Sequence, residues 1–298
     1  MTDRGFVLVN VLLLVAALSV VAVGLLQLTT RATQRLGVAQ TAAQAPLILD
    51  AGVAFARQLL EEDGASNEVD HRDESWALTN FVADTENGPV RINVTDLESR
   101  MNLNRPLAFD GAAIQTAVTD LIAGTADAPD LAAALIARTL RMRSDQPQAP
   151  NRDADITHQV GDFTNLAAVT AIDGGEDAVT LPEDVFATLP RDRGINVNTA
   201  SDRVFSALPG VTPEVLTALN AARRAAPLED AAAISALLQQ MAPEANELAS
   251  LLETRSHWFE VETATELDGL TYIGRTILAR KPSTGDVRVH LHVIEVEG

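Results

Sequence analysis

Residues 6–28 read FVLVNVLLLVAALSVVAVGLLQL, 23 residues without one charged side chain. Its strongly polar members are Asn10, Ser19 and Gln27. As a helix this run is roughly 34 Å long, about the hydrocarbon thickness of a bilayer. Arg4 brackets one end, and Arg31 and Arg35 bracket the other. A buried core helix fits poorly, because nothing charged interrupts a run of this length. A cleaved secretory signal has a basic start, an apolar core of about 7–15 residues and a small-residue cleavage site. Here the start is weakly basic and the apolar run is too long. The reading is therefore a short leader over 1–5 and a retained transmembrane helix over 6–28. Arginines on both flanks leave the orientation undecided by the positive-inside rule.

Beyond the membrane-length run the helical pattern continues. Val38, Ala42, Ala45, Leu49, Gly52 or Val53, Ala56 and Leu59 or Leu60 recur at steps of three and four, which makes one apolar stripe. Pro46 is a candidate kink, and Gly64, Ser66 and Asn67 end the pattern. Two strands are expected over 75–95, the first holding Trp76, Leu78 and Val82. Glu86-Asn87-Gly88 is a turn. In the second strand Val90, Ile92 and Val94 alternate with Arg91, Asn93 and Thr95.

Residues 105–255 are rich in alanine and leucine. Helices are expected over 112–122, 131–140, 201–207, 213–224, 229–240 and 243–253, with polar loops at 144–153 and 173–177. Strands return over 257–296, with turns at Asp268-Gly269 and 282–286. A lone hairpin is marginal in water, so the economical solution is one antiparallel sheet built from both ends of the soluble chain. The expected fold class is α+β: a long N-terminal helix on that sheet, with an inserted α-helical subdomain. The corresponding division is 29–95 for the amphipathic helix and first strands, 96–255 for the insertion and 256–298 for the last strands.

The formal net charge is −19, from 41 acidic and 22 basic residues, and Lys281 is the single lysine. Such a chain repels phosphate backbones, which argues against generic nucleic-acid binding. The absence of cysteine removes disulfides, thiolate zinc sites and cysteine nucleophiles. No serine-hydrolase, zinc-protease or phosphate-loop pattern occurs, and no catalytic residue is assigned. His290 and His292 would share one face of a regular strand, but a zinc site needs a third ligand and none is evident. No metal ligand is assigned.

Two segments echo each other: Met101-Asn102-Leu103-Asn104 and Ile195-Asn196-Val197-Asn198, the second running on into Thr199-Ala200. Each precedes a helical stretch, where Asn and Thr side chains can cap free N–H groups. Leu208-Pro209-Gly210-Val211-Thr212-Pro213 then resembles a helix-hairpin-helix turn, which in DNA-binding versions offers N–H groups to a phosphate. Residues 191–255 carry six arginines against eight acidic residues, so the segment is taken as a fold element.

Together these features resemble one family, protein K of the type II secretion system, a large minor pseudopilin. The resemblance rests on Arg4-Gly5-Phe6 ahead of the apolar helix, residues 96–104, Ile195–Ala200 and Ser256–Val261, and it spans nearly the whole chain. It implies a pilin-like fold and cleavage by a prepilin peptidase between Gly5 and Phe6. Most family pilins carry glutamate at the fifth mature position; here Asn10 stands there, as is typical of protein K. An amide cannot neutralise a neighbouring subunit's N-terminal ammonium within the membrane as a carboxylate does.

That substitution suits a subunit with nothing above it. The resemblance thus implies a tip subunit that initiates pseudopilus assembly for export of folded proteins across the outer membrane. It implies minor pseudopilins I and J as partners, with H below, an inner-membrane anchor, and a soluble domain in the periplasm. Calcium is a possible cofactor by the same resemblance. Asp173, Glu176 and Asp177 offer oxygens, but Asp-Gly-Gly-Glu-Asp matches no calcium loop, so no ligand is assigned. A membrane-anchored DNA-uptake receptor using the helix-hairpin-helix segment is the alternative, and it requires a basic surface.

Overall fold

The computed structural model describes residues 3–104, 181, 183–190, 193–208, 210–241, 249, 251–281 and 284–297. The helices expected over 112–122 and 131–140, the loops at 144–153 and 173–177, and Asp173, Glu176 and Asp177 lie outside the described residues.

The first element is one helix of 64 residues, α1 (Asp3–Ser66), which passes through Pro46 without interruption. Its first half is apolar and bare: the large side chains from Val11 to Leu28 are exposed. It is long and apolar enough to cross a membrane. Its second half buries Thr41, Ala45, Ile48, Leu49, Val53, Ala56 and Leu60. Ala42, expected in the stripe, is exposed, and Ile48 takes a place in it. The helix closes on itself at its end, where Asn67 N–H donates to the Asp63 carbonyl at 2.8 Å.

That stripe packs on a five-stranded sheet of β1 (Phe81–Thr85), β2 (Gly88–Asp96), β7 (Trp258–Leu267), β8 (Leu270–Arg280) and β9 (Val287–Glu297), in the order β1-β2-β7-β8-β9. All four pairings are antiparallel. Val90, Ile92, Val94, Phe259, Val261, Tyr272 and Leu278 meet the helix in one core. Gly52 lets the helix ride close: a Cβ there would stand 2.8 Å from the Thr263 methyl. The β7–β8 turn uses Asp268 (φ 53°) and Gly269 (φ 79°), the left-handed pair that matches strand twist. The expected α+β arrangement of a long N-terminal helix on an antiparallel sheet is thus present.

Between β2 and β7 the described residues form a short 3₁₀ turn (Leu97–Ser99), β3 (Met101–Asn102), β4 (Phe186–Ala187), β5 (Ile195–Asn196), α2 (Asp202–Ser206), α3 (Pro213–Ala225), α4 (Ala231–Met241) and β6 (Leu252–Glu253). β3 pairs with β4 and β5 with β6, each parallel and two residues long. Their apolar side chains and those of the helices form a second core, separate from that under α1.

Three sequence expectations give way. The first strand starts at Phe81, and Trp76 precedes it: its ring meets Phe259 edge-on at 5.0 Å and its indole N–H donates to Glu74 at 2.7 Å. Trp76 is therefore a plug for the core and lies outside the ladder. The helix expected over 243–253 does not reach its end, because Leu252–Glu253 pairs with β5, tertiary pairing overriding helix propensity. His290 and His292 do not share a face. A register shift at Ile277/Leu278 makes His290 the extra residue of a bulge, with Val289 opposite Leu278 and Leu291 opposite Ile277. His290 then meets the Trp258 ring at 4.9 Å, while His292 faces α1, 3.7 Å from Asp50.

Candidate functional site: a buried polar junction

The two Asn-x-Asn segments are built alike. Met101 and Leu103 donate their N–H groups to Val185 and Ala187 carbonyls; Ile195 and Val197 do the same to Leu251 and Glu253. In each copy the first asparagine's Oδ1 accepts from the N–H of the second, at 3.0 Å for Asn102 and 2.9 Å for Asn196. The amide groups then clamp distant chain. Asn102 donates to Pro190 and Asn104 to Leu189; Asn198 exchanges two bonds with Leu228. These asparagines are therefore cross-chain staples. Helix capping, the reading their position suggested, falls to Ser201 for α2 and Thr212 for α3.

Asn196 sits deepest. Its amide donates to the Asp70 carbonyl at 3.1 Å and the Ser256 hydroxyl at 2.7 Å. That hydroxyl donates on to Asp96 at 2.7 Å, and Asp96 also accepts from Thr199. Asp70 accepts the Ser256 N–H at 2.6 Å, and Arg280 spans Asp70 and Asp63, the latter at 2.9 Å. One connected network thus ties the end of α1, the loop after it, the end of β2, the second Asn-x-Asn segment and the start of β7. Full burial of Asp63, Asp70, Asp96 and Arg280 makes it a rigid joint between the two cores.

Beside it lie Glu98, Glu253 and His257, whose ligand atoms fall within 4.8 Å of one another. The cation there is Arg193, whose guanidinium stands 2.9 Å from His257 Nδ1. The positive charge beside this group is thus supplied by an arginine of the chain itself. Burial pushes Glu98 up to about 8, against the pull of Arg193. Burial also raises Asp96 to about 6 and lowers His257 to about 4, with the Arg193 charge adding to the latter.

The folded state therefore holds the Glu98 proton more tightly than the unfolded chain does, and stability falls as pH rises toward 8. His257 acts oppositely, losing stability as pH falls from about 6.5 toward 4, so the two oppose each other in that acid window. Between pH 6.5 and 8.5 Glu98 acts with little opposition. The expected result is a melting temperature that falls across this range and a Glu98→Gln variant whose profile is flat; equal slopes for both proteins would refute the assignment.

Gly5, Phe6 and Asn10, the residues singled out for processing and assembly, all lie on α1, in its apolar half or just before it. Residue patterns gave no warning of the Arg280 pair or the Glu98 cluster. The only available signal was parity, because Arg280 continues the inward series Tyr272, Gly274, Thr276 and Leu278 on β8.

Residues 195–270 match the family model for type II secretion system (T2SS) protein K. That stretch takes in two of the segments on which the resemblance to this family rests, Ile195–Ala200 and Ser256–Val261. No curated protein matches the chain. Among solved structures, a chain in the crystal structure of the GspK-GspI-GspJ complex from the enterotoxigenic Escherichia coli Type 2 Secretion System shares the fold. The TM-score is 0.65 at 16% identity, covering 88% of this chain and 99% of that one.

Proposed function

We propose that this chain, a relative of type II secretion system protein K, is a minor pseudopilin that sits at the tip of the pseudopilus and initiates its assembly. The observation that carries this reading is α1 itself. Its bare apolar half is continuous with a half packed on an antiparallel sheet, so the soluble part is rigidly coupled to a membrane-length rod. On this reading the anchor lies in the inner membrane, the soluble part is periplasmic, and the helical residues between β2 and β7 form an inserted subdomain. Asn10 leaves the next subunit's amine without a charge partner, and the inserted residues obstruct further stacking. Minor pseudopilins I and J are the partners, with H beneath. The role is structural, and the buried charged groups serve the joint.

One observation favours the DNA-receptor alternative: Gly210 adopts φ 77° just before α3, the geometry of a phosphate-binding turn. However, Glu214 occupies the first turn of α3, where its carboxylate, held low by a hydrogen bond from Thr212, would meet a phosphate with like charge.

The test is the N-terminal sequence of the protein expressed with and without a prepilin peptidase. A terminus at Phe6 that appears only with the peptidase is the expected result. An intact Met1, or a cut after residue 28, would remove the pseudopilin reading.

A further inference from the structure

β9 is the longest exposed edge of the sheet. It is 11 residues long, and Val287 is its one buried residue. The strand order puts it last, so among the described residues one side of its ladder meets no other strand. Val289, Leu291, Val293 and Val296 are 51%, 44%, 42% and 56% exposed. Natural edge strands are usually blunted by charge or shortness. The opposite edge, β1, has five residues. β9 instead carries an uncharged run from Val289 to Ile294, with charges only at its ends: Arg288 on one side, Glu295 and Glu297 on the other.

We infer that the outer edge of β9 receives an extended strand from a different subunit of the pseudopilus tip, with a basic residue placed against Glu295 and Glu297. This rests on the proposed pseudopilin function. A strand edge with no neighbour among the described residues is completed by another strand, which makes β-addition the matching mode of recognition.

A second copy of this chain is a poor occupant despite one favourable feature: antiparallel self-pairing would set Arg288 against Glu295. The anchor geometry rules against it. α1 runs alongside β8, with Thr41 bonded to Asp268 at one end and Asp63 to Arg280 at the other. An antiparallel β9 pair related by a two-fold axis would therefore point the two anchors in opposite directions, and both could not enter one bilayer. Two chains each at −19 also repel.

Hydrogen–deuterium exchange of the full chain in detergent, alone and with full-length minor pseudopilins I and J, tests this. The expected result is that amides over 289–297 exchange quickly in the isolated chain and at least tenfold more slowly in the complex. Val293→Lys should weaken the complex at least tenfold, whereas Val82→Lys on the opposite edge leaves it intact. A complex that forms with β9 exchange unchanged overturns the inference and leaves the pseudopilin reading standing. Slow exchange in the dilute isolated chain shows that the chain covers its own edge, and slowing with concentration shows a second copy; either overturns it. Failure of I and J to bind at all removes the inference together with the partner reading beneath it.

Discussion

Replacing Arg280 with methionine should lower folding stability by about 3–5 kcal/mol, because removal of one partner strands a buried charge. Arg280 is 2% exposed and Asp63 and Asp70 are 5% and 1% exposed, so water cannot take over. The guanidinium also lies over the Phe259 ring, 5.0 Å from its centroid, and donates to the Ser256 carbonyl at 2.6 Å. The substitution therefore leaves two buried carboxylates without their counter-charge, although each keeps one donor, and takes one donor from the Ser256 carbonyl, where the end of α1 meets β8. Chemical denaturation followed by tryptophan fluorescence would read the loss, since Trp76 and Trp258 are both buried nearby. Adding Asp63→Asn and Asp70→Asn to Arg280→Met should recover more than half of it, because neutral amides carry no uncompensated charge. A loss below about 1 kcal/mol for Arg280→Met would place the pair among surface-like ion pairs and contradict its role as a joint.

Asn196→Ala should cost about 3 kcal/mol, since each buried group left unsatisfied costs about 1–3 kcal/mol. The groups concerned are the Asp70 carbonyl and the Asn198 N–H, with the Ser256 hydroxyl losing one of its two partners. Asn196→Asp is the sharper variant. It keeps the shape and the acceptor that holds Asn198, but it replaces a donor amide with a carboxylate beside Asp70 and Asp96. The aspartate variant should therefore be at least as unstable as the alanine variant at neutral pH, and it should recover as pH falls. An aspartate variant as stable as the parent at pH 7 would show that the amide donor is dispensable. A local readout is available: proteolysis of the 195–241 region should accelerate before the sheet melts, because the two cores are joined through this network.

The sheet's outline was legible because period-2 alternation and turn chemistry act locally. Val90, Ile92 and Val94 are buried as their spacing requires, Asn87 falls in the turn that Gly88 closes as the first residue of β2, and Asp268-Gly269 falls in the turn between β7 and β8. The Asn-x-Asn repeat was legible as a pattern, but its task was not. Asparagine before a helix is locally indistinguishable from asparagine reaching to carbonyls about 90 residues away, as Asn102 does to Pro190 and Arg193. The Glu98 cluster was hidden for a related reason: in a chain with 41 acidic residues, a carboxylate that will be buried looks like its neighbours.

What the sequence determined by itself is therefore whatever depends on near neighbours. The bare and packed halves of α1 follow from composition and 3.6-residue spacing, and the sheet's strands from alternation. What only the tertiary structure decided depends on distant chain arriving. Leu252–Glu253 became a strand because β5 offered it partners. Trp76 became a plug because Phe259 lay beneath it. His290 and His292 went to opposite faces because His290 is the extra residue at the β8–β9 register shift. Arg280 became the centre of a joint because two aspartates from the end of α1 and the loop after it converge on it. Spacing along the chain can state which face a side chain takes, but the partner waiting on that face is fixed only when the elements pack.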